Sequence, residues 1–165
     1  MAGGATPGFV VRTDGAARGN PGPASLGAAL FRLDRADARD PLARPDATIS
    51  EYLGVQTNNV AEYTGVLRAV TLGLELGAAR LELLLDSNLI VEQLHGRWRV
   101  KDAKLRPLWA DALRILRSLP AGWTAAHVRR AQNTIADALA NEAIDRVAVG
   151  GPPSVVVRPA ADEVH

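Results

Sequence analysis

The spacing of apolar positions alternates along the chain between short strand-like runs and helical steps of three and four. Residues 8–13 hold Phe9, Val10 and Val11 in a short apolar run and predict a strand that ends at Asp14. Glycine and proline crowd residues 15–23, so a turn follows. Residues 26–33 and 48–55 predict two further strands. Between them, residues 34–46 are charged and contain Pro41 and Pro45, which predicts a hairpin loop of more than usual length. Val60, Tyr63, Leu67, Val70 and Leu74 then recur at steps of three and four, so residues 58–77 predict a helix. Thr57 or Asn58 can cap its start and Gly77 its end.

Residues 80–85 open with Arg80 and are otherwise apolar except for Glu82, the pattern of a centre strand covered on both faces. Ser87 caps a short helix reaching His95, and residues 96–102 form a basic connection. Residues 104–118 predict a helix that tolerates Pro107 near its start. After a break at 120–122, residues 123–128 predict a fifth strand. Residues 131–147 predict a last helix, with Ile135, Leu139 and Ala143 on one stripe.

Three strands, a helix, a strand, helices, a strand and a helix make an α/β fold. The first three strands can run as an antiparallel meander, and the other two add in parallel through helical crossovers. The expectation is a mixed five-stranded sheet with helices on its faces, in one domain over residues 1–147. Residues 148–165 carry three prolines and little core pattern beyond Val155–Val157, and are expected to form a flexible tail.

The chain of 165 residues, 47% hydrophobic and 22% charged, suits one such core. It has no cysteine, which excludes disulfides, zinc–thiolate sites and thiol nucleophiles. No apolar run spans a bilayer, and residues 1–8 lack the features of a signal peptide, so the expected setting is the cytoplasm, with no membrane partner. The net charge of +1 conceals a local bias. Residues 95–130 hold nine Lys/Arg against Asp102 and Asp111, a patch that suits a polyanion or a solvated pair of helix faces.

Four carboxylates stand where an element meets its core. Asp14 and Asp86 each end an apolar strand. Glu62 heads the apolar row Val66 and Ala69, and Asp137 lies in line with Ala140 and Ile144. Singly, each has a plain explanation: a turn aspartate before glycine, a helix cap, or an acid near a helix N-terminus. The proposed sheet, however, makes the strands of Asp14 and Asp86 neighbours, and both helix starts can open on that edge. Four converging acids repel and raise each other's pKa. Two divalent cations with a preference for oxygen relieve this; Mg²⁺ fits, with Mn²⁺ as a substitute. Such a pair, roughly 4 Å apart, supports phosphodiester hydrolysis.

The surrounding residues resemble a known family. Asp14-Gly-Ala-Ala-Arg-Gly-Asn-Pro-Gly-Pro23, Thr57-Asn-Asn-Val-Ala-Glu-Tyr63, Leu85-Asp-Ser-Asn-Leu-Ile-Val91 and Asn133-Thr-Ile-Ala-Asp-Ala-Leu-Ala-Asn141 resemble, in order, the four motifs of type 1 ribonuclease H. The resemblance covers residues 8–146 and implies the ribonuclease H-like fold. It also implies metal-dependent endonucleolytic cleavage of the RNA strand of an RNA–DNA hybrid, leaving 5′-phosphate and 3′-hydroxyl ends. Carried over by motif, the metal ligands are Asp14, Glu62, Asp86 and Asp137. The implied substrate-binding set is Gly15, Asn20, Thr57, Asn58, Asn59, Ser87, Asn88 and Asn133. Asn20, Asn59 and Asn88 stand where the family reads 2′-hydroxyls and base edges, and Thr57 where it grips a DNA phosphate. Asn88 replaces a longer glutamine.

Two stretches depart from the common pattern. His127 lies ten residues before Asp137, where many members place a histidine, but no glycine follows it. The sequence His127-Val-Arg-Arg-Ala-Gln-Asn133 resembles instead the branch with a Val-Pro-Arg turn, which puts Arg130 ahead of His127 as the auxiliary catalytic group. An arginine there acts electrostatically, since it keeps its proton. The stretch after the third motif is too short for a full basic protrusion. Arg97, Trp98, Arg99, Lys101 and Lys104 suit a reduced phosphate-binding strip, while Trp98 and Trp109 also suit core packing. The protein is expected to act as a monomer. A non-catalytic hybrid-binding module, a related nuclease acting on DNA, and a protein using the acids for one stabilising ion are the alternatives.

Overall fold

The computed structural model describes residues 6–160. Six strands and four helices follow in the order β1 (Gly8–Ala17), β2 (Gly22–Arg32), β3 (Ala47–Gln56), α1 (Asn58–Glu75), β4 (Arg80–Leu85), α2 (Asn88–Leu94), α3 (Arg106–Ser118), β5 (Trp123–His127), α4 (Thr134–Ala148) and β6 (Ser154–Val157). A 3₁₀ turn, Arg130–Gln132, precedes α4. The strands form one mixed sheet in the order β5-β4-β1-β2-β3-β6. β2 and β3 run antiparallel to their neighbours, while β4 pairs parallel with both β1 and β5.

The expected five strands are therefore corrected to six. Four residues of the expected tail pair antiparallel with the outer edge of β3, from Thr48↔Val157 to Glu51↔Ser154. Arg146 helps hold them, donating from Nε to the Pro152 carbonyl at 2.6 Å and from Nη2 to the Ser50 carbonyl at 2.8 Å. β1 is also longer than its apolar run. Gly15, Ala16 and Ala17 pair with Leu26, Ser25 and Ala24, so Asp14 lies within the strand and the turn shrinks to residues 18–21.

The sheet separates two cores. Phe9, Val11, Leu26, Ala28, Leu30, Leu81 and Leu83 face α1, α2 and α3, which contribute Tyr63, Val66, Val70, Ile90 and Leu116. Val10, Ala29 and Phe31 face the other way, against Ile135 and Leu139 of α4 and against Ala38 and Ala43 of the β2–β3 loop. Alternate residues of one strand thus serve opposite layers. α4 sits unusually close to β2 because Gly27 has no side chain: a Cβ there falls 2.1 Å from the Ala136 carbonyl oxygen. The Ser50 hydroxyl, donating to the Leu139 carbonyl at 2.6 Å, fastens the same helix to β3. Among the described residues no helix is long and apolar enough to cross a membrane.

Candidate functional site

The parallel register of β1 and β4 pairs Thr13 with Leu85, so Asp14 within β1 and Asp86 just past the end of β4 stand side by side. Asp14 is buried and Asp86 half-buried. Each helix layer adds one acid. α1 starts with Thr57 as its cap, the Oγ1 accepting from the Val60 N–H at 3.2 Å. It then passes so close to β1 that a Cβ on Gly15 falls 2.3 Å from the Glu62 nitrogen. That approach brings Glu62 beside Asp14, and the Gly15 N–H donates to the Glu62 carboxylate. From the opposite layer, α4 carries Asp137 in its first turn, where it shares a hydrogen bond with Asp14.

Asp14, Glu62 and Asp86 each offer a carboxylate oxygen within 4.8 Å of the others. Crowding and burial show in the protonation of Asp14 and Glu62. Burial, then the charge of Asp86 and the hydrogen bond to Asp137, push Asp14 up to about 7. Burial, then the charges of Asp14 and Asp86, push Glu62 up to about 9. The all-oxygen donor set of Asp14, Glu62 and Asp86 fits a hard divalent cation.

The four acids line a cavity of about 430 Å³, together with Gly15, Asn58, Asn59, Ser87 and Arg130. Other expected site residues hold the rim. Asn20 Oδ1 accepts from the Asn58 N–H, and Asn58 Oδ1 accepts from the Ala17 N–H, both at 3.1 Å, which stitches the β1–β2 turn to the start of α1. The Ser87 hydroxyl caps α2 by accepting from the Ile90 N–H at 3.3 Å, and Asn88 follows it, exposed. Asn133 is different. It is wholly buried and donates from Nδ2 to the Thr13 carbonyl at 2.8 Å, so it anchors the start of α4 and has no surface for a substrate. His127 lies at the end of β5 with Nε2 donating to the Asp86 carbonyl at 3.2 Å, outside the cavity lining.

Two residues near the site went unnoticed in the sequence. Asn141, one turn after Asp137, donates from Nδ2 to Asp137 Oδ1 at 3.3 Å and accepts from Arg18 Nη2 at 3.4 Å. The i, i+4 spacing was its available signal. Arg12, buried in β1 two residues before Asp14, reaches the carbonyls of Gln132 and Arg39. Its signal was a lone cation in an apolar strand.

The basic stretch after α2 forms a second groove of about 730 Å³, lined by Trp98, Arg99, Lys101, Arg106 and Trp109 among others. Trp98 is 48% exposed, whereas Trp109 is half-buried and donates from Nε1 to the Gln93 carbonyl at 3.0 Å. Arg97 is held by Glu92 at 2.6 Å.

A family model described as Reverse transcriptase-like matches residues 12–143. The Bifunctional protein Rv2228c of Mycobacterium tuberculosis is 39% identical over 142 residues, which are 84% of this chain and 36% of that protein. The chain thus spans about a third of the length of that relative. The Ribonuclease H of Halorhodospira halophila is 33% identical over 148 residues, 82% of this chain and 91% of its own. Among solved structures, LC11-RNase H1 in complex with RNA/DNA hybrid superposes with a TM-score of 0.68 at 33% identity, covering 85% of this chain and 99% of that one.

Proposed function

Because the chain belongs to the type 1 ribonuclease H family, we propose that it hydrolyses the RNA strand of RNA–DNA hybrids at the cluster of Asp14, Glu62, Asp86 and Asp137. The products are 5′-phosphate and 3′-hydroxyl ends, and the working form is a monomer in the cytoplasm. The observation that carries this reading is the meeting of three carboxylate oxygens within 4.8 Å, with Asp137 bonded to Asp14 beside them. The hybrid found with LC11-RNase H1 supports the substrate.

The four carboxylates would hold two Mg²⁺ or Mn²⁺ ions. When bound, these supply an activated water and charge stabilisation for the leaving oxygen. The protein's own groups do the rest. The Gly15 N–H orients Glu62, and Asn141 orients Asp137. Asn58, Asn59 and Ser87 line the approach, where backbone and amide groups suit the wide minor groove of an A-like duplex. Asn20, Thr57 and Asn88 flank it from the β1–β2 turn and from the starts of α1 and α2. Arg130 lines the cavity, where its guanidinium stabilises negative charge on the phosphate. This favours Arg130 over His127, whose Nε2 is engaged by a backbone carbonyl. The Trp98 groove extends the contact to a strand backbone through Arg99 and Lys101.

The test compares hybrid, single-stranded RNA, duplex RNA and duplex DNA, each with Mg²⁺, Mn²⁺ or EDTA. Metal-dependent loss of RNA from the hybrid, with 5′-phosphate ends, is expected. Cleavage of duplex DNA, or of no substrate, refutes the reading.

A further inference from the structure

We propose that Arg12 is a positioning residue for cleavage: from within the sheet it holds the backbone of the turn that presents Arg130. The inference rests on the reading of the site given above. It concerns a buried side chain that does not itself line the cavity of the carboxylates.

The turn Arg130–Gln132 is closed on itself by the Asn133 N–H donating to the Arg130 carbonyl at 3.0 Å. None of its residues is buried, and Arg129 before it is exposed too. Its position is fixed from β1. Arg12 Nη1 donates to the Gln132 carbonyl at 2.8 Å, and the next residue, Thr13, offers its carbonyl to Asn133 at 2.8 Å. These two bonds come from the residues directly before Asp14, so one short piece of strand sets both a carboxylate and the arginine facing it. The other arm of Arg12 steadies the fork. Nη2 donates to the Arg39 carbonyl at 3.0 Å, and Arg39 is itself tied to Glu82 on β4 at 2.6 Å.

Energetics argue that this arrangement serves more than stability. Arg12 is 2% exposed, and its Nε finds no hydrogen-bond partner. A buried guanidinium is expensive to desolvate, and an apolar side chain of similar length often serves a core as well or better. Methionine has a similar length without that cost. What methionine lacks is the rigid fork that grips two carbonyls at once. Departures from a well-satisfied core cluster where a site needs them.

The experiment compares Arg12→Met, Arg12→Lys, Arg130→Ala and the double variant Arg12→Met/Arg130→Ala. Initial rates on a hybrid are read with melting temperature and amide hydrogen exchange. The expected result for Arg12→Met is a kcat lower by roughly tenfold with KM within about twofold, since a small displacement of a reacting group acts on kcat. Arg12→Lys, with one point donor, recovers part of the loss. The double variant falls no more than about twofold below Arg130→Ala, because both changes remove one interaction. The amides of Gln132 and Asn133 exchange at least about tenfold faster in Arg12→Met. Losses that multiply, an unchanged kcat, or unfolding of both Arg12 variants overturn the proposal and leave Arg12 a residue of the fold. The two readouts also separate the two claims. A parent protein that cuts no hybrid refutes the proposed function alone, whereas unchanged exchange at Gln132 and Asn133 refutes the role of Arg12 alone.

Discussion

Replacing Gly15 by alanine adds one methyl group where β1 meets α1. That methyl carbon lands 2.3 Å from the Glu62 nitrogen, 2.4 Å from the Ala61 carbonyl carbon and 2.7 Å from its oxygen. All three are backbone atoms of a helix, so no side chain can swing aside. Reaching ordinary contact requires the start of α1 to retreat by roughly 1 Å, and overpacking of this kind costs about 1–3 kcal/mol. The same retreat pulls Glu62 from Asp14 and loosens its bond with the Gly15 N–H. A misplacement of about 1 Å at a reacting constellation costs on the order of 10²-fold in rate. Gly15→Ala is therefore expected to lower kcat/KM on a hybrid by roughly 100-fold, about 2.7 kcal/mol, and to lower the melting temperature by several degrees. Gly65→Ala is the control. It lies on the same helix and meets β1 and β2 at 3.4 and 3.5 Å, an ordinary contact, and it removes a helix-interior glycine. Its activity should stay within about threefold of the parent, with equal or higher stability. The reasoning fails if Gly15→Ala keeps activity within about threefold, or if Gly65→Ala loses as much.

The protonation of the cluster makes stability depend on pH when metal is absent. Asp14 and Glu62 both titrate higher in the folded protein than their ordinary values of 3.8 and 4.5, so the folded state binds more protons between those values and about 7 and 9. Stability is then full below about pH 4 as far as these groups are concerned, and falls as pH rises through about 7 to 9. Thermal melts in EDTA should show this decline, and millimolar Mg²⁺ should reverse it at the alkaline end. A flat profile in EDTA contradicts the crowding. Asp14→Asn should abolish cleavage, keep the fold, and flatten the acid side of that profile; hybrid cleavage within a few-fold of the parent removes Asp14 from the site. Asn141→Ala should weaken apparent Mg²⁺ affinity by about 10-fold while leaving the melting temperature of the metal-free protein within a few degrees, as losing the partner of a metal-ligating carboxylate does. Metal titration of activity checks it, and an unchanged midpoint separates Asn141 from Asp137.

The acids were legible because Asp14 and Asp86 each follow an apolar run and Glu62 and Asp137 each head an apolar helical row, and their convergence followed once the strands of Asp14 and Asp86 were placed side by side. Features decided by backbone pairing were not. Gly15, Ala16 and Ala17 read as a turn, yet pairing with β2 carries the strand through them. β6 escaped notice because Ser154–Val157 is short and exposed throughout, and its place beside β3 depends on Arg146 reaching carbonyls that no side-chain pattern encodes. The last helix starts later than its periodicity suggests. Asn133 spends its amide on Thr13 and adopts φ −123°, which leaves a separate turn before Thr134. The tryptophans divided between the two functions expected of them, Trp109 half-buried and bonded within the fold, Trp98 exposed on the groove.

The acids come from three different layers: Glu62 from the α1 side, Asp14 and Asp86 from the sheet, Asp137 from the α4 side. The cluster therefore exists only once both helix layers have docked on the strands. A partly folded chain with one layer undocked carries at most three of the four acids in place, and escapes the mutual repulsion that the fourth completes. The electrostatic cost of the site thus falls on the last assembly step, where the packing of a whole layer is available to offset it. Under the proposed function, hybrid cleavage therefore requires both helix layers in place, and its rate reports on complete tertiary assembly.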